Sequence, residues 1–507
     1  MSNQFEATRT VDMSRRNFLQ NGSAAAGAVI ASSVLPQTVA QGASVKRPNI
    51  VFFYTEGQRA DALSLAGNTI LKTPHQDRIG REGVYFNNSF CTNALCAPAR
   101  AVTLTGLYSH TSGALDNKTQ EPLPADIPIF TDLLHEAGYD VAMVGKAHVC
   151  NGVRERYWDY YFAFNAPATD YYAPHVFEGR KGAMGEEKIY RGTSRNDFPD
   201  NPAMDWTGVY ADDLFTDRAL GWLKEDHDRP FCLLLWLQTP HAPFYRPRRY
   251  LDLYNGVSIA QPATFDDDLK GYPGKPRCFA DAANKIGTIQ NGDCPRSLEE
   301  LVKDYYAGLV AVDDNIGRVM TFLESSGQLD DTVVLHSSDH GFFLGEWRCY
   351  DKRFMHEPSL RTPAMIRYPK LFRAGSKVDE MILNIDFAPT LLELAGVASP
   401  EAMQGKSLVQ LAQGNAGQWR QDWLYEYFEY PGAEQVRPHR GVRTTRYKYI
   451  HYFVAPEEFE LYDLQADPGE RDNLIGRPQY AGIHQQLVAR LEQLRKETGD
   501  RTRNVVT

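Results

Sequence analysis

Cys91-Thr92-Asn93-Ala94-Leu95-Cys96-Ala97-Pro98-Ala99-Arg100-Ala101-Val102-Thr103-Leu104-Thr105-Gly106-Leu107-Tyr108 is the stretch around which the chain is organised. Its centre reads C-x-P-x-R. A residue ahead of proline is pushed out of helical geometry, so the chain is extended up to Ala97. A helix then starts with Pro98 near its first position. Cys96 falls close to the positive N-terminal end of that helix, where a nucleophile can face an anion.

Outward from this stretch, four apolar runs read as strands buried on both faces of a parallel sheet: Ile50–Tyr54, Val141–Val144, Phe231–Leu237 and Thr332–Ser338. Each ends in polar residues. The first is followed by Thr55-Glu56-Gly57-Gln58-Arg59-Ala60-Asp61, the second by Gly145-Lys146-Ala147-His148, the third by Gln238-Thr239-Pro240-His241-Ala242-Pro243-Phe244 and the fourth by Asp339-His340-Gly341. Open α/β sheets place their ligands at this carboxyl edge. Prolines on both sides of His241 fix the backbone that aims it. Helical spacing appears over 129–137 with Gly138 as C-cap, and over 210–226, 297–324, 388–395 and 480–498. Tyr157–Phe164 and Asp170-Tyr171-Tyr172 read as aromatic-rich loops, which either stack on sugar rings or pack in the core. Arg246, Arg248 and Arg249 are a solvated cluster or an anion-binding rim. Residues 255–295, rich in Gly, Pro and Asp, read as an insertion.

The chain has 507 residues, 43% apolar and 23% charged, which predicts a soluble globular protein of one large and one smaller unit. A net charge of −10 argues against nucleic acid as a partner, so an anionic substrate needs a local basic cluster. Residues 1–40 carry an address. Ser14-Arg15-Arg16-Asn17-Phe18-Leu19 is a twin-arginine pattern, followed by the weakly apolar Ala24–Leu35 and by Thr38-Val39-Ala40 as a cleavage site. The apolar run is shorter than the ~20 residues that span a bilayer. The expectation is export by the twin-arginine machinery to the periplasm or beyond, with an uncleaved anchor as the alternative. Of the seven cysteines, Cys278 and Cys294 flank a Gly/Asn/Lys-rich segment and are the first choice for a bridge.

The run from Cys96 to Tyr108 resembles the signature of the type I sulfatases of the alkaline phosphatase superfamily. The similarity extends through Gly145-Lys146-Ala147-His148, Pro240-His241-Ala242-Pro243-Phe244, Ser338-Asp339-His340-Gly341 and the segment Lys352-Arg353-Phe354-Met355-His356-Glu357-Pro358-Ser359-Leu360-Arg361-Thr362-Pro363. Tyr108–Thr119 and Asp351–Phe354 look most like the N-acetylglucosamine-6-sulfatase branch. The fold that the resemblance implies is α/β and alkaline-phosphatase-like: a large mixed, mainly parallel sheet sandwiched by helices over residues 47–418, then a C-terminal α+β subdomain over 419–507 with antiparallel strands and a helix. Strands are expected at 423–428, 440–444 and 447–453.

The resemblance also implies the chemistry, hydrolysis of a sulfate ester on a carbohydrate such as a glycosaminoglycan or algal polysaccharide. Cys96 is converted by a maturation enzyme to formylglycine, whose hydrate attacks sulfur with one hydroxyl and expels sulfate as the aldehyde reforms. Arg100 holds the hydrate and His148 is the base. Lys146, Lys352 and His241 clamp sulfate, with Lys352 or His241 protonating the leaving oxygen. Glu56, Asp339, His340 and residue 96 hold a divalent metal, Ca²⁺ by family pattern. His439 and Arg440 are candidate substrate contacts from the smaller unit. Three departures stand out. Glu56-Gly57 replaces the usual pair of aspartates, so that Gln58 or Asp61 must fill the gap or the site is built differently. Ala99 replaces a commoner serine, and Trp347 a commoner histidine. They motivate two rivals, a phosphonate or phosphate ester hydrolase of the same superfamily and a non-catalytic glycan-binding protein.

Overall fold

The computed structural model describes residues 46–118, 123–149, 152–190, 210–267, 269, 274–287, 297–432 and 434–502. The proposed signal peptide, Cys150 and Cys294, with the expected Cys278–Cys294 bridge, lie outside the described residues.

The four apolar runs form adjacent parallel strands. Numbered along the chain, the strands are β1 (Asn49–Thr55), β2 (Val84–Phe90), β3 (Asp140–Lys146), β4 (Tyr160–Phe164), β5 (His175–Arg180), β6 (Ala183–Ile189), β7 (Phe231–Trp236), β8 (Thr332–Ser338), β9 (Phe343–Leu344), β10 (Tyr350–Asp351), β11 (Ala364–Arg367), β12 (Ser376–Leu383), β13 (Asp422–Tyr427), β14 (His439–Thr444), β15 (Tyr447–Tyr452) and β16 (Glu458–Asp463). Ten of them make one sheet in the order β12-β2-β11-β8-β1-β7-β3-β4-β5-β6. The run β8-β1-β7-β3-β4 is parallel, while β11 against β8 and β2, β5 against β4, and β6 against β5 are antiparallel.

Alternation along β1 shows why these runs carry no polar face. Ile50, Phe52 and Tyr54 enter one core with Ala101 and Leu104 of the helix Cys96–Thr105, whereas Val51 and Phe53 enter the other with Val312, Ile316 and Val319 of the helix Leu298–Ser325. Helices therefore cover both faces, and each such side chain contributes about 1.5–3 kcal/mol through burial. Ser297 caps the long helix by accepting from Glu300 N at 3.1 Å.

Two expectations need correction. Tyr157–Phe164 is not a loop: Tyr160–Phe164 is the fully buried strand β4, paired in parallel with β3, and Tyr171 and Tyr172 are buried as well. Tyr160, Tyr161, Phe162, Phe164, Tyr171 and Tyr172 are core and offer no face to a sugar, whereas Tyr157, ahead of the strand, is exposed and stacks on His135. The central helix begins at Cys96 rather than Pro98, with Leu95 as N-cap. Pro98 is tolerated at the third position because the first N–H groups of a helix lack intrahelical partners in any case.

Strands β13–β16 form a separate antiparallel sheet, one strand more than the sequence patterning suggested. Its inner residues Trp423, Tyr425 and Leu461 share one core with Phe90, Leu95 and Val102 behind the central motif and with Leu487 and Leu491 of the helix Ala481–Glu497.

Candidate active site

Because β8, β1, β7 and β3 are neighbours, their carboxyl ends bring Asp339-His340, Glu56, His241 and Lys146-His148 to one edge. The helix Cys96–Thr105 delivers Cys96 and Arg100 into the same place. Cys96 Sγ lies 2.7 Å from Glu56 Oε1 and 3.7 Å from His340 Nε2. Arg100 donates from Nε to Asp339 Oδ2 (3.0 Å), from one terminal nitrogen to Glu56 Oε2 (2.8 Å) and from the other to the Lys146 carbonyl (2.7 Å). Lys146 Nζ donates to Glu56 Oε2 at 2.7 Å. Lys352 Nζ stands 3.5 Å from Glu56 Oε1 and 3.1 Å from Asp351 Oδ1. His241 Nδ1 donates to the Ala242 carbonyl at 2.6 Å, leaving Nε2 3.9 Å from Glu56 Oε1. Its side chain is 17% exposed against 4% for Lys352, so His241 sits at the mouth.

The electrostatics follow from this crowding. Burial and Glu56 push the Cys96 thiol up, yet Lys146, Lys352 and a hydrogen bond with His148 outweigh them and hold it well below its usual range. Burial pushes Glu56 up, and Lys146, Lys352, His340 and Arg100 drive it well below an ordinary carboxylate. Asp339 moves the other way, to about 7, through burial and the charge of Glu56. Burial disfavours charge on His340, but Asp339 raises it to about 10. Burial lowers His148 to about 4, so at neutral pH its imidazole is uncharged beside residue 96. Its Nδ1 has no partner among the described residues.

The donor set fits a divalent cation. Glu56, Cys96, Asp339 and His340 each present a ligand atom, all within 4.8 Å of one another. His340 Nδ1 faces the Gly341 carbonyl at 2.8 Å, which turns Nε2 inward towards Cys96 and Glu56, where it would face a bound ion.

The gap left by Gly57 is not filled by Gln58 or Asp61. Gln58 turns away to Thr55, Ala62 and Gln76, and Asp61 pairs with Arg59. Gly57 has φ +65, and a Cβ there would lie 3.1 Å from Phe342 and 3.2 Å from the His340 ring. The imidazole thus occupies the space of a side chain at 57. The loop is held by its amides instead: Gly57 N donates to Asp339 Oδ1, Gln58 N to Ser338 Oγ and Arg59 N to Tyr305 Oη, and that hydroxyl donates to the Gly57 carbonyl at 2.6 Å. Tyr305 gave no signal in the sequence, because on an amphipathic helix it reads as core.

Three candidates fall elsewhere. His439 is fully buried between the rings of Tyr425, Tyr427 and Tyr452, and burial lowers it to about 4. Arg440 pairs with Asp500 at 3.1 Å and covers Phe453. These packing and ion-pair contacts within the C-terminal unit occupy both side chains, which corrects their reading as substrate contacts. The arginine cluster is not a rim: Arg246 pairs with Asp304 and Arg249 with Asp213.

Comparison with known proteins agrees with this geometry. The sulfatase family model matches residues 48–397, and the model of the N-sulphoglucosamine sulphohydrolase C-terminal region matches 345–497. An N-acetylglucosamine-6-O-sulfatase of Bacteroides thetaiotaomicron is 33% identical, over 90% of this chain and 87% of that protein. An ulvan-active sulfatase of Formosa agariphila is 28% identical, over 92% and 84%. The solved structure of BT4656 with its substrate D-glucosamine-2-N,6-O-disulfate superposes with a TM-score of 0.80 at 32% identity, covering 90% of this chain and 99% of that one. The phosphonate monoester hydrolase of Agrobacterium radiobacter shares the fold, with a TM-score of 0.70 at 22% identity over 89% of this chain and 96% of that one. With the sulfatase model covering every residue gathered at this sheet edge, from Glu56 to Lys352, and a relative 33% identical over nine-tenths of the sequence, the chain belongs to the sulfatase family.

Proposed function

We propose that the chain removes the 6-O-sulfate of N-acetylglucosamine units in a sulfated glycan, using formylglycine made from Cys96 and a divalent ion held by Glu56, Asp339, His340 and residue 96. The observation that carries the chemistry is the convergence of Cys96, Lys146 and Lys352 on Glu56, with His148 hydrogen-bonded to Cys96. The sugar rests on the 33% identical Bacteroides relative and the superposition on BT4656 with its disulfated glucosamine.

Once Cys96 is converted, its formylglycine hydrate would supply the oxygen nucleophile, and an ion held by Glu56, Asp339, His340 and residue 96 would supply Lewis-acid charge to the sulfate and the hydrate. The chain's own residues do the rest. Arg100 bridges Glu56, Asp339 and the Lys146 carbonyl, so it fixes the ligands and residue 96 together. Lys146 and Lys352 approach Glu56 from two sides and offer ammonium groups to the sulfate oxygens, where desolvation strengthens the attraction. Uncharged His148 takes a proton from residue 96. His241, with its Nδ1–H spent on Ala242, holds Nε2 towards the leaving oxygen, and Lys352 is the second proton donor there. Ca²⁺ is the ion by family pattern. The reading is completed by a formylglycine-generating partner and by twin-arginine export of the folded enzyme, supported by Ser14–Leu19.

The departures that suggested a non-catalytic protein are built into the site: His340 takes the space at Gly57, and Trp347 is buried against Phe279. Asp339-His340 and Ala99 keep phosphonate or phosphate esters as the rival substrates. The test uses protein whose Cys96 peptide carries formylglycine by mass spectrometry. Sulfate is released from 6-O-sulfated N-acetylglucosamine, and Cys96→Ala releases none. Turnover of phosphate or phosphonate esters without sulfate release would overturn the assignment.

A further inference from the structure

The segment 274–287 comes from the stretch that the sequence marks as an insertion, and it is fastened along 345–353, which carries Lys352. Ile286 N donates to the Arg348 carbonyl (2.8 Å), Tyr350 N to the Asn284 carbonyl (3.0 Å) and Asn284 Nδ2 to the Tyr350 carbonyl (2.6 Å). Lys285 and Cys349 are directly opposed in an antiparallel bridge. Opposed residues put their side chains on one face with Cβ atoms about 4.5–5.5 Å apart. The backbone register alone therefore pairs this amine with this thiol.

The side chains complete the pairing. Lys285 Nζ lies 2.9 Å from Cys349 Sγ. The carbonyl contacts of buried thiols here are longer, 3.7 Å from Cys349 to Trp347 and 3.8 Å from Cys91 to Ser359. The sulfur is fully buried, and the half-buried Lys285 ammonium lies 4.8 Å from the Phe279 ring centre and also donates to the Trp347 carbonyl at 3.3 Å. One bridging atom spans the gap between amine and thiol.

We propose that Lys285 and Cys349 are the site of a reversible N–O–S cross-link, formed with dioxygen as oxidant. The reaction is Lys–NH₂ + Cys–SH + O₂ → Lys–NH–O–S–Cys + H₂O. One N–H, the S–H and the O–O bond break; N–O and O–S bonds form. Nitrogen and sulfur each lose two electrons, dioxygen gains four, and its second oxygen leaves as water with both hydrogens. Two equivalents of a dithiol return the amine and the thiol. Thiols lie on such a reversible oxidation ladder.

The bridge would act on a strained segment. Trp347, Arg348, Asp351 and Arg353 have positive φ values of 50, 57, 76 and 93, which side-chain-bearing residues hold only when their surroundings impose them. A covalent tie at 349 fastens that conformation three residues before Lys352.

Peptide mapping of the full-length protein, air-exposed and left unreduced, tests the proposal. The expected product joins the Lys285 and Cys349 peptides, with the summed mass plus one oxygen minus two hydrogens. Dithiothreitol splits it and makes Cys349 alkylable after denaturation. Lys285→Arg keeps the charge but yields no joined peptide, and its melting temperature responds less to dithiothreitol than that of the wild type. The wild-type map decides alone if the variant does not fold. Full alkylation of Cys349 in air-exposed, unreduced protein, or its recovery in a disulfide, would overturn the proposal.

Discussion

Glu460 and Asp339 are both fully buried carboxyl groups beside cations, and their surroundings move them in opposite directions. Glu460 lies where the insertion meets β16. It accepts from Tyr452 Oη at 2.7 Å and faces Lys275 Nζ at 3.3 Å, while Lys275 also donates to His356 Nε2, Tyr462 Oη and the Glu470 carbonyl. Nearby, Lys448 meets Glu470 at 2.6 Å and Glu357 at 2.9 Å. Burial would raise Glu460 and Glu357, yet Lys275 and His356 in one case and Lys448 and Arg443 in the other hold both far below the ordinary range. At the sheet edge, Glu56 is driven down and Asp339 up to about 7. Burial alone does not distinguish the two clusters, and the crowding of cations does: Lys146, Arg100 and Lys352 all stand within 3.5 Å of the one carboxylate of Glu56.

The largest effect that separates the two clusters is on stability. Lys275→Ala leaves Glu460 buried without its cation, which costs about 3–5 kcal/mol; chemical denaturation should show this while kcat per folded molecule changes little. Lys352→Ala is the mirror case. It removes charge stabilisation made at the reacting group and lowers kcat roughly 10²–10³-fold, with a smaller loss of stability than in Lys275→Ala, because Glu56 keeps Lys146 and Arg100 and Asp351 keeps Arg353. Equal losses of stability in both variants would erase the distinction. The finest test is the pH profile. Burial lowers His148 to about 4, so its imidazole stays uncharged, and able to accept a proton, well below the usual histidine value near 6.5. The acidic limb of kcat/KM should therefore fall near pH 4, and a limb near 6.5 would remove His148 from the role of base.

The strands that carry the site were legible because parallel strands covered on both faces have no polar alternation to obscure them. Glu56, Lys146, His241 and Asp339 could be placed at strand ends before any contact was known. Lys352 follows no strand of the large sheet and was found only through family resemblance. Tyr160–Phe164 failed as a reading because its aromatics resemble a binding loop until β3 supplies a partner. His439 and Arg440 failed for the converse reason: in the sequence, nothing distinguishes a buried histidine and an ion-paired arginine from residues reaching for substrate. Lys275 and Glu460, 185 positions apart, have no local pattern to link them.

The turn at Gly57 constrains which sequences can follow this one. A Cβ introduced there lies 3.1 Å from Phe342 and 3.2 Å from the His340 ring, on a backbone with φ +65 that disfavours any side chain. Positions 57 and 340 are therefore coupled: a side chain gained at the first has to be accommodated by the ring at the second.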